Sequence, residues 1–192
     1  DMYRFPALVI NPGRNIGWEA GNNVGLSMSD AKYVILMNDD VEPQTKDWHL
    51  KLVQPMEEDE EIGLVGPRVR GHQNYQGRIP EGAYLDPLVS LSPILSPTEG
   101  AMPYFRMSFF CVALRRRLFH DVGPMDDRFS VPATGKRGGD DEDYTWRAHL
   151  KGWKMVLRSD VWVNHVDQGQ TYRALGAMGS NVELLKEKWG WT

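Results

Sequence analysis

Three polar clusters hold the residues of this 192-residue chain best suited to chemistry: Asn38, Asp39 and Asp40; Asp140, Asp141, Glu142 and Asp143; and Asn164 with His165. Carboxylates together with an imidazole make a donor set for magnesium or manganese, manganese in particular. Such a cation neutralises charge on a diphosphate as a Lewis acid. A carboxylate set apart from it can take a proton from a hydroxyl. Each cluster also has a plainer reading. Asp and Asn commonly build the turn that ends a strand, and acids at the head of a helix are favoured by its exposed amides and dipole. A lone histidine is more often structural than a ligand. Capping, with Asp140 or Asp141 near the N-cap, accounts for one of the acids at 140–143. It does not account for four adjacent carboxylates, which repel one another unless solvent, a cation or a basic partner compensates.

The elements that must position these clusters follow from periodicity and punctuation. Tyr33–Met37 is a short apolar run that stops on Asn38, which reads as a buried strand with acids at its carboxyl end, where ligands bind in open α/β sheets. Ala7–Ile10 reads as an earlier strand, closed by Asn11, Pro12 and Gly13. Between them, Ile16, Ala20, Val24 and Met28 recur near every fourth residue and predict a helix over Trp18–Ser29, giving a βαβ unit with a right-handed crossover. Helices are also expected at Trp48–Glu58, Arg115–Val122, Tyr144–Leu150 and Asn181–Trp189. Strands are expected at Ile62–Val69, Phe105–Leu114, Lys154–Leu157 and Val161–Val163. Residues 70–104, rich in Pro, Gly and Ser, show no sustained period and read as a functional loop or lid. The whole is an α/β fold in one domain, with a mostly parallel central sheet flanked by helices.

Composition narrows the classes. The balance of 22 basic and 26 acidic residues gives a net charge of −4, and the one basic run is Arg115–Arg117, so a nucleic-acid partner is not expected. A single cysteine, Cys111, excludes an intrachain disulfide and a multi-cysteine zinc site. No apolar run reaches the length of a membrane span and no signal-peptide pattern opens the sequence. The expected location is the cytoplasm, including the cytoplasmic face of a membrane. Trp18, Trp146, Trp153 and Tyr84 are aromatics able to stack on sugar rings, although most buried tryptophans are simply core.

These residues resemble family 2 glycosyltransferases of the GT-A fold, especially a rhamnosyltransferase-like branch, through nearly the whole chain. NIGWEAGNNVGL is similar to the family's N-x-G-F-x-x-G-N-N-x-G segment, and YVILMNDDVEP to its strand ending in a DxD-type motif, with Asn38 in place of the first Asp. FFCVALRRRLFHDVGPMDDRF resembles the segment before the active-site loop, with Cys111 where the family often has Gly or Ala. GGDDEDYTWRAHLKGWKM resembles E-D-x-D-x-x-x-R-x-x-x-x-G, with Asp140 for the Glu. WVNHVDQG resembles the late strand whose His completes a metal site, and NVELLKEKWG a terminal helix of this branch. The resemblance implies Asp40 and His165 as ligands of Mn2+ or Mg2+, and Asp141 as general base of an inverting transfer. It implies Asn15, Gly17, Asn23, Asn38 and Asp39 on the nucleotide-sugar side, with Asp140, Asp143 and Arg147 on the acceptor side or supporting the base. The implied donor is a nucleotide-diphosphate sugar, and the implied acceptor a hydroxyl of a glycan or lipid in polysaccharide biosynthesis. Oligomeric state is not implied.

One departure is expected to matter. Family members begin with a strand, a helix and a strand carrying an Asp that contacts the nucleobase, and Asp1–Pro6 cannot replace these. The expectation is an N-terminally truncated domain that binds nucleotide sugar weakly or not at all by itself. Two other classes compete. A noncatalytic carbohydrate-binding or scaffolding domain is favoured by that missing part and opposed by the acidic clusters with His165. Metal-dependent phosphoryl transfer or hydrolysis lacks a glycine-rich phosphate loop.

Overall fold

The computed structural model describes residues 7–70, 75–78, 86–166, 176–177 and 179–192. In chain order these form α1 (Trp18–Ser27), β1 (Tyr33–Met37), β2 (Val41–Pro43), α2 (Trp48–Glu58), β3 (Ile62–Arg70), α3 (Tyr75–Arg78), β4 (Leu88–Ser90), β5 (Cys111–Arg115) and α4 (Arg116–Val122). A 3-10 turn (Asp127–Phe129), α5 (Val131–Thr134), α6 (Asp140–Leu150), β6 (Lys154–His165) and α7 (Val182–Trp189) complete the list.

One sheet runs in the order β1-β5-β3-β6-β2, with β4 added to the N-terminal half of β6. Among the described strands parallel pairing is confined to β3 and β6, and the other pairs are antiparallel. Side chains alternate between its faces as the two-residue repeat of a strand requires. Leu64, Val112, Leu114, Met155 and Leu157 enter one core with Leu26, Leu118, Tyr144 and Ala148 from α1, α4 and α6. Val65, Ala113 and Val156 enter a second core with Leu52 and Met56 of α2. Helices on both faces explain why β3, up to Val69, and β5 are buried throughout rather than on alternate residues.

Several expected elements change. Residues 7–10 form no strand: Leu8, Val9 and Ile10 are 72%, 86% and 46% exposed, so the βαβ unit expected there is absent from the described residues. An apolar run needs a neighbouring strand and a covered face, and this one has neither here. The two strands expected at 154–163 are one strand, β6, which accommodates three extra residues where Pro67 pairs with Arg158 but Arg68 pairs with Trp162. The strand expected at Phe105–Leu114 shrinks to β5. Phe109 and Phe110 are nevertheless buried, and this hydrophobic need without ladder pairing made the segment look strand-like. In the irregular stretch, α3, β4 and a bridge between Ile94 and Tyr104 appear. The rest of that loop reading, with Tyr84, falls partly on 71–74 and 79–85, outside the described residues. Part of WVNHVDQG lies outside them too.

The basic run is structural. Arg115 is buried and donates to the carbonyls of Ile62, Asp59 and Met56, tying β5 to the end of α2, while Arg116 donates to the Leu26 carbonyl at the end of α1. Helix C-termini leave such carbonyls without intrahelical donors. Among the described residues no helix is long and apolar enough to cross a membrane.

Candidate functional site

The entry to α1 is shaped by two residues. Asn15 accepts a hydrogen bond from the Gly17 amide at 2.9 Å, and Gly17 stands at φ 87° as the N-cap. A Cβ on Gly17 would lie 2.7 Å from the Ser130 Cβ, so only glycine lets α1 approach the segment leading into α5. One residue on, Trp18 donates from its indole to the Asn38 side-chain oxygen at 2.9 Å. The helix start is thereby tied to the end of β1.

Asn38, Asp39 and Asp40 form the turn between β1 and β2. The Asn38 amide donates to the Phe110 carbonyl, and the Val41 amide closes the turn on the Asn38 carbonyl. Because β2 pairs antiparallel with the end of β6, Val41 lies opposite His165, and the Val166 amide donates to the Asp40 carbonyl. The result is an Asp40 carboxylate 3.0 Å from His165 Nε2, with the Asn38 side-chain amide 3.4 Å from the same nitrogen. The imidazole is stacked on Phe110.

The third cluster arrives through Gly138 and Gly139. Gly139 is the N-cap of α6 at φ 95°, where a Cβ would stand 2.7 Å from the Phe129 ring. The acids are the first turn of the helix rather than residues before it. Capping falls to Glu142, which accepts from the Gly139 amide at 2.9 Å, and not to Asp140 or Asp141 as expected. Those two are half-buried in the cleft. Burial, with Glu142 beside it, raises Asp140 to about 6. Burial, followed by the charges of Glu142 and Asp140, holds Asp141 well above the usual carboxylate range.

A cleft of two lobes joins these pieces. The first, of about 300 Å³, is lined by Asn15, Gly17, Asp39 and Asp40 together with Glu19 and Asn22. The second, of about 360 Å³, is lined by Asp141 and Glu142, with Met102, Ser180 and Leu185. Trp18, Asn38, Arg137, Gly138, Asp140 and His165 line both. All three polar clusters therefore reach one cleft.

Three expected site residues do not line it. Asn23 spends its amide on the backbone of Met125, donating to the carbonyl at 2.8 Å and accepting from the amide at 2.9 Å. Asp143 is fully buried among Arg147 (3.0 Å), Lys188 (2.7 Å) and the Trp189 indole (2.9 Å). Arg147 also donates to the Val122 carbonyl. Conversely, Glu19 and Arg137 were not singled out from sequence. Arg137 sits in the KRGG connection and, among the described residues, has no ion-pair partner; a cation in a glycine-rich link before an acidic helix was the available signal.

The donor set can be tested against the cation it implies. Two neighbouring ligands of an octahedral ion at about 2.1 Å stand about 3 Å apart, which is the separation of Asp40 Oδ1 and His165 Nε2. Among the described residues no three His, Cys, Asp or Glu converge on a point. The residues therefore fit a cation that takes two ligands from the protein and the rest from phosphate or water, as magnesium commonly does.

A mixed sheet with helices on both faces, with a carboxylate-bearing turn beside a late-strand histidine, is an α/β fold of the GT-A type. The chain belongs to glycosyl transferase family 2, whose model matches residues 2–123. It is 25% identical to the O-antigen biosynthesis protein RfbC of Myxococcus xanthus, over 77% of this chain and 12% of that protein. Among solved structures it is similar to GalNAc-T7 with UDP, GalNAc and Mn2+ (TM-score 0.55, 18% identity, 80% of this chain and 31% of that one). A second is the mannosyltransferase PcManGT of Pyrobaculum calidifontis in complex with GDP-Man and Mn2+ (0.55, 18%, 82% and 39%). The chain thus spans about an eighth of that curated relative and less than half of each of these structures.

Proposed function

We propose that this chain carries the catalytic cleft of a metal-dependent, inverting glycosyltransferase. It moves a hexose or deoxyhexose from a nucleotide-diphosphate sugar to a hydroxyl of a glycan or lipid acceptor. The observation that carries the reading is the convergence of Asp40, His165, Asp140 and Asp141 on one cleft. Family membership supports it, as do the UDP or GDP-Man and the Mn2+ with which the structural neighbours were solved.

Asp40 and His165 would hold Mn2+ or Mg2+, which supplies Lewis-acid neutralisation of the departing diphosphate. Asn15, Gly17, Asn38 and Asp39 face the donor in the first lobe, and Arg137 brings a cation to the rim where the two lobes meet. Asp141, in the second lobe, accepts the proton of the acceptor hydroxyl. The acceptor oxygen bonds to the anomeric carbon, and the bond from that carbon to the diphosphate breaks with its electron pair leaving on the diphosphate. Attack opposite the leaving group inverts the centre. A raised carboxylate pKa suits this role, because a more basic carboxylate takes up a proton more readily. Burial, with the charges of Glu142 and then Asp140, keeps that pKa high.

Calorimetry with Mn2+ and UDP or GDP, beside donor turnover with and without chelator, tests the reading. Asp40→Ala and His165→Ala should each weaken the metal dependence at least tenfold. Turnover that persists unchanged in chelator removes the metal role. A noncatalytic binding domain, in which the same cleft holds a nucleotide sugar without turning it over, is the second reading. It predicts ligand binding with no turnover under any metal.

A further inference from the structure

Glu19 is the most anomalous polar group in the cleft. It lies in the first turn of α1, is only 4% exposed, and lines the first lobe. Its Oε2 is buried and, among the described residues, has no hydrogen-bond partner and no basic side chain paired with it. The carboxyl folds back over the Gly17 N-cap, 3.2 Å from where a Cβ of Gly17 would be. Burial, together with the charges of Asp140, Asp127 and Asp126, raises its pKa to about 7. A buried acceptor left unmade costs on the order of 1–3 kcal/mol, so a group held this way in a ligand cleft is stabilised when a ligand donor arrives.

The surroundings restrict that ligand group. A phosphate is repelled by Glu19 and by the three acids near it. A cation in this lobe is assigned to Asp40 and His165, which stand 3.0 Å apart, and among the described residues Glu19 forms no comparable pair with a histidine. A neutral hydroxyl donates to a carboxylate, and also accepts from the carboxyl when it is protonated. We propose that the Glu19 carboxyl hydrogen-bonds a ring hydroxyl of the bound nucleotide sugar, from its ribose or from the transferred sugar, and so selects the ligand. This rests on the cleft being the donor site.

Calorimetry on the full chain with Mn2+ compares wild type, Glu19→Ala and Glu19→Gln. The probes are UDP, 2′,3′-dideoxy-UDP and UDP-GalNAc, with GDP, 2′,3′-dideoxy-GDP and GDP-mannose in parallel. A lost charge-assisted hydrogen bond weakens binding about ten- to a hundredfold. If the hydroxyl is the ribose's, Glu19→Ala loses this on the ribonucleotides and not on the dideoxy forms. If it belongs to the transferred sugar, the loss is confined to the nucleotide sugars. Glu19→Gln, which still accepts and donates, keeps most of the affinity in either case. Equal affinities of wild type and Glu19→Ala for every probe, or an equal loss on all of them, overturn this role while leaving the donor cleft standing. Wild-type protein that binds none of the probes overturns both. A readout free of ligand accompanies these: replacing a buried carboxyl that carries an unpartnered oxygen by the apolar Glu19→Met should raise the melting temperature of the free protein, and a clear fall would mean that Glu19 is a structural residue.

Discussion

Asp141 and Asp143 stand two residues apart in the same helical turn and have opposite surroundings. Asp143 is fully buried and compensated by Arg147, Lys188 and the Trp189 indole. Lys188 extends the compensation to Asp126, where burial alone would raise the pKa but hydrogen bonds from Arg128 and Lys188 hold it well below the usual range. Asp141 faces the cleft, receives a hydrogen bond from the Glu142 amide at 3.2 Å, and has carboxylates rather than cations for neighbours. A carboxylate surrounded by donors holds elements together. One left among like charges is a poor structural element and a better base.

The sharpest way to break this comparison is to neutralise each acid alone. Asp141→Asn should lower transfer by about 10²–10⁴-fold, the usual contribution of a positioned base, with little change in unfolding free energy or in metal-dependent nucleotide binding. Appreciable remaining turnover would take Asp141 out of the base role. Asp143→Ala leaves Lys188 and Arg147 facing a buried gap and should cost about 3–5 kcal/mol in denaturant unfolding. If the two variants exchange these phenotypes, the division between cleft and scaffold is wrong.

The pH dependence of stability supplies a second test. Glu19, at about 7, and Asp140, at about 6, hold protons in the folded state that the unfolded chain has already released. Their pKa values are raised on folding, so the stability they contribute is complete below about pH 4, the unfolded carboxylate range, and is lost as pH rises through 6 to 7. For Glu19 alone the loss is on the order of 3 kcal/mol. Urea unfolding of wild type and Glu19→Gln at pH 4 and pH 8 should show wild type losing about that much more than the variant. Parallel curves would mean that Glu19 is solvated when ionised. The same logic applies to the acid limb of the rate profile. Asp140→Asn removes a like charge beside Asp141 and should move that limb to lower pH.

Local chemistry was legible in the sequence where one element decides it. The amphipathic period of α2 and the apolar run of β1 ending on Asn38 are visible because propensity and pairing agree there, although β1 is a half-buried edge strand and not the buried strand expected. What needed the fold was pairing across distance. Asp40 meets His165 only because β2 lies antiparallel to the last residues of β6. The sequence places Asp141 and Asp143 in one acidic run and cannot separate them, because Lys188 and Trp189, the partners that distinguish Asp143, come from α7. Glu19 was overlooked for a related reason. A charged residue in a first helical turn ordinarily faces water, and its burial depends on Gly17 bringing α1 down onto Ser130.

Asn23 illustrates the same confusion at a smaller scale. The NN pair in α1 resembles a ligand-contacting segment, yet the two amides diverge. Asn22 lines the first lobe, while Asn23 is turned onto Met125 and satisfies both its amide and its carbonyl, fixing α1 to the connection that leads toward Asp126. Asn23→Ala breaks two part-buried hydrogen bonds and should cost about 1–3 kcal/mol of stability. Its effect on ligand affinity should be indirect and smaller than that of Asn22→Ala, which removes an amide from the cleft at the cost of one hydrogen bond within α1, to the Trp18 carbonyl. Opposite rankings in calorimetry and in unfolding would place the donor contact on Asn23 and require α1 to rotate when ligand binds. Matching rankings would extend the contrast between Asp141 and Asp143 to a second pair of like residues, in which the backbone face of a helix decides which member meets the substrate.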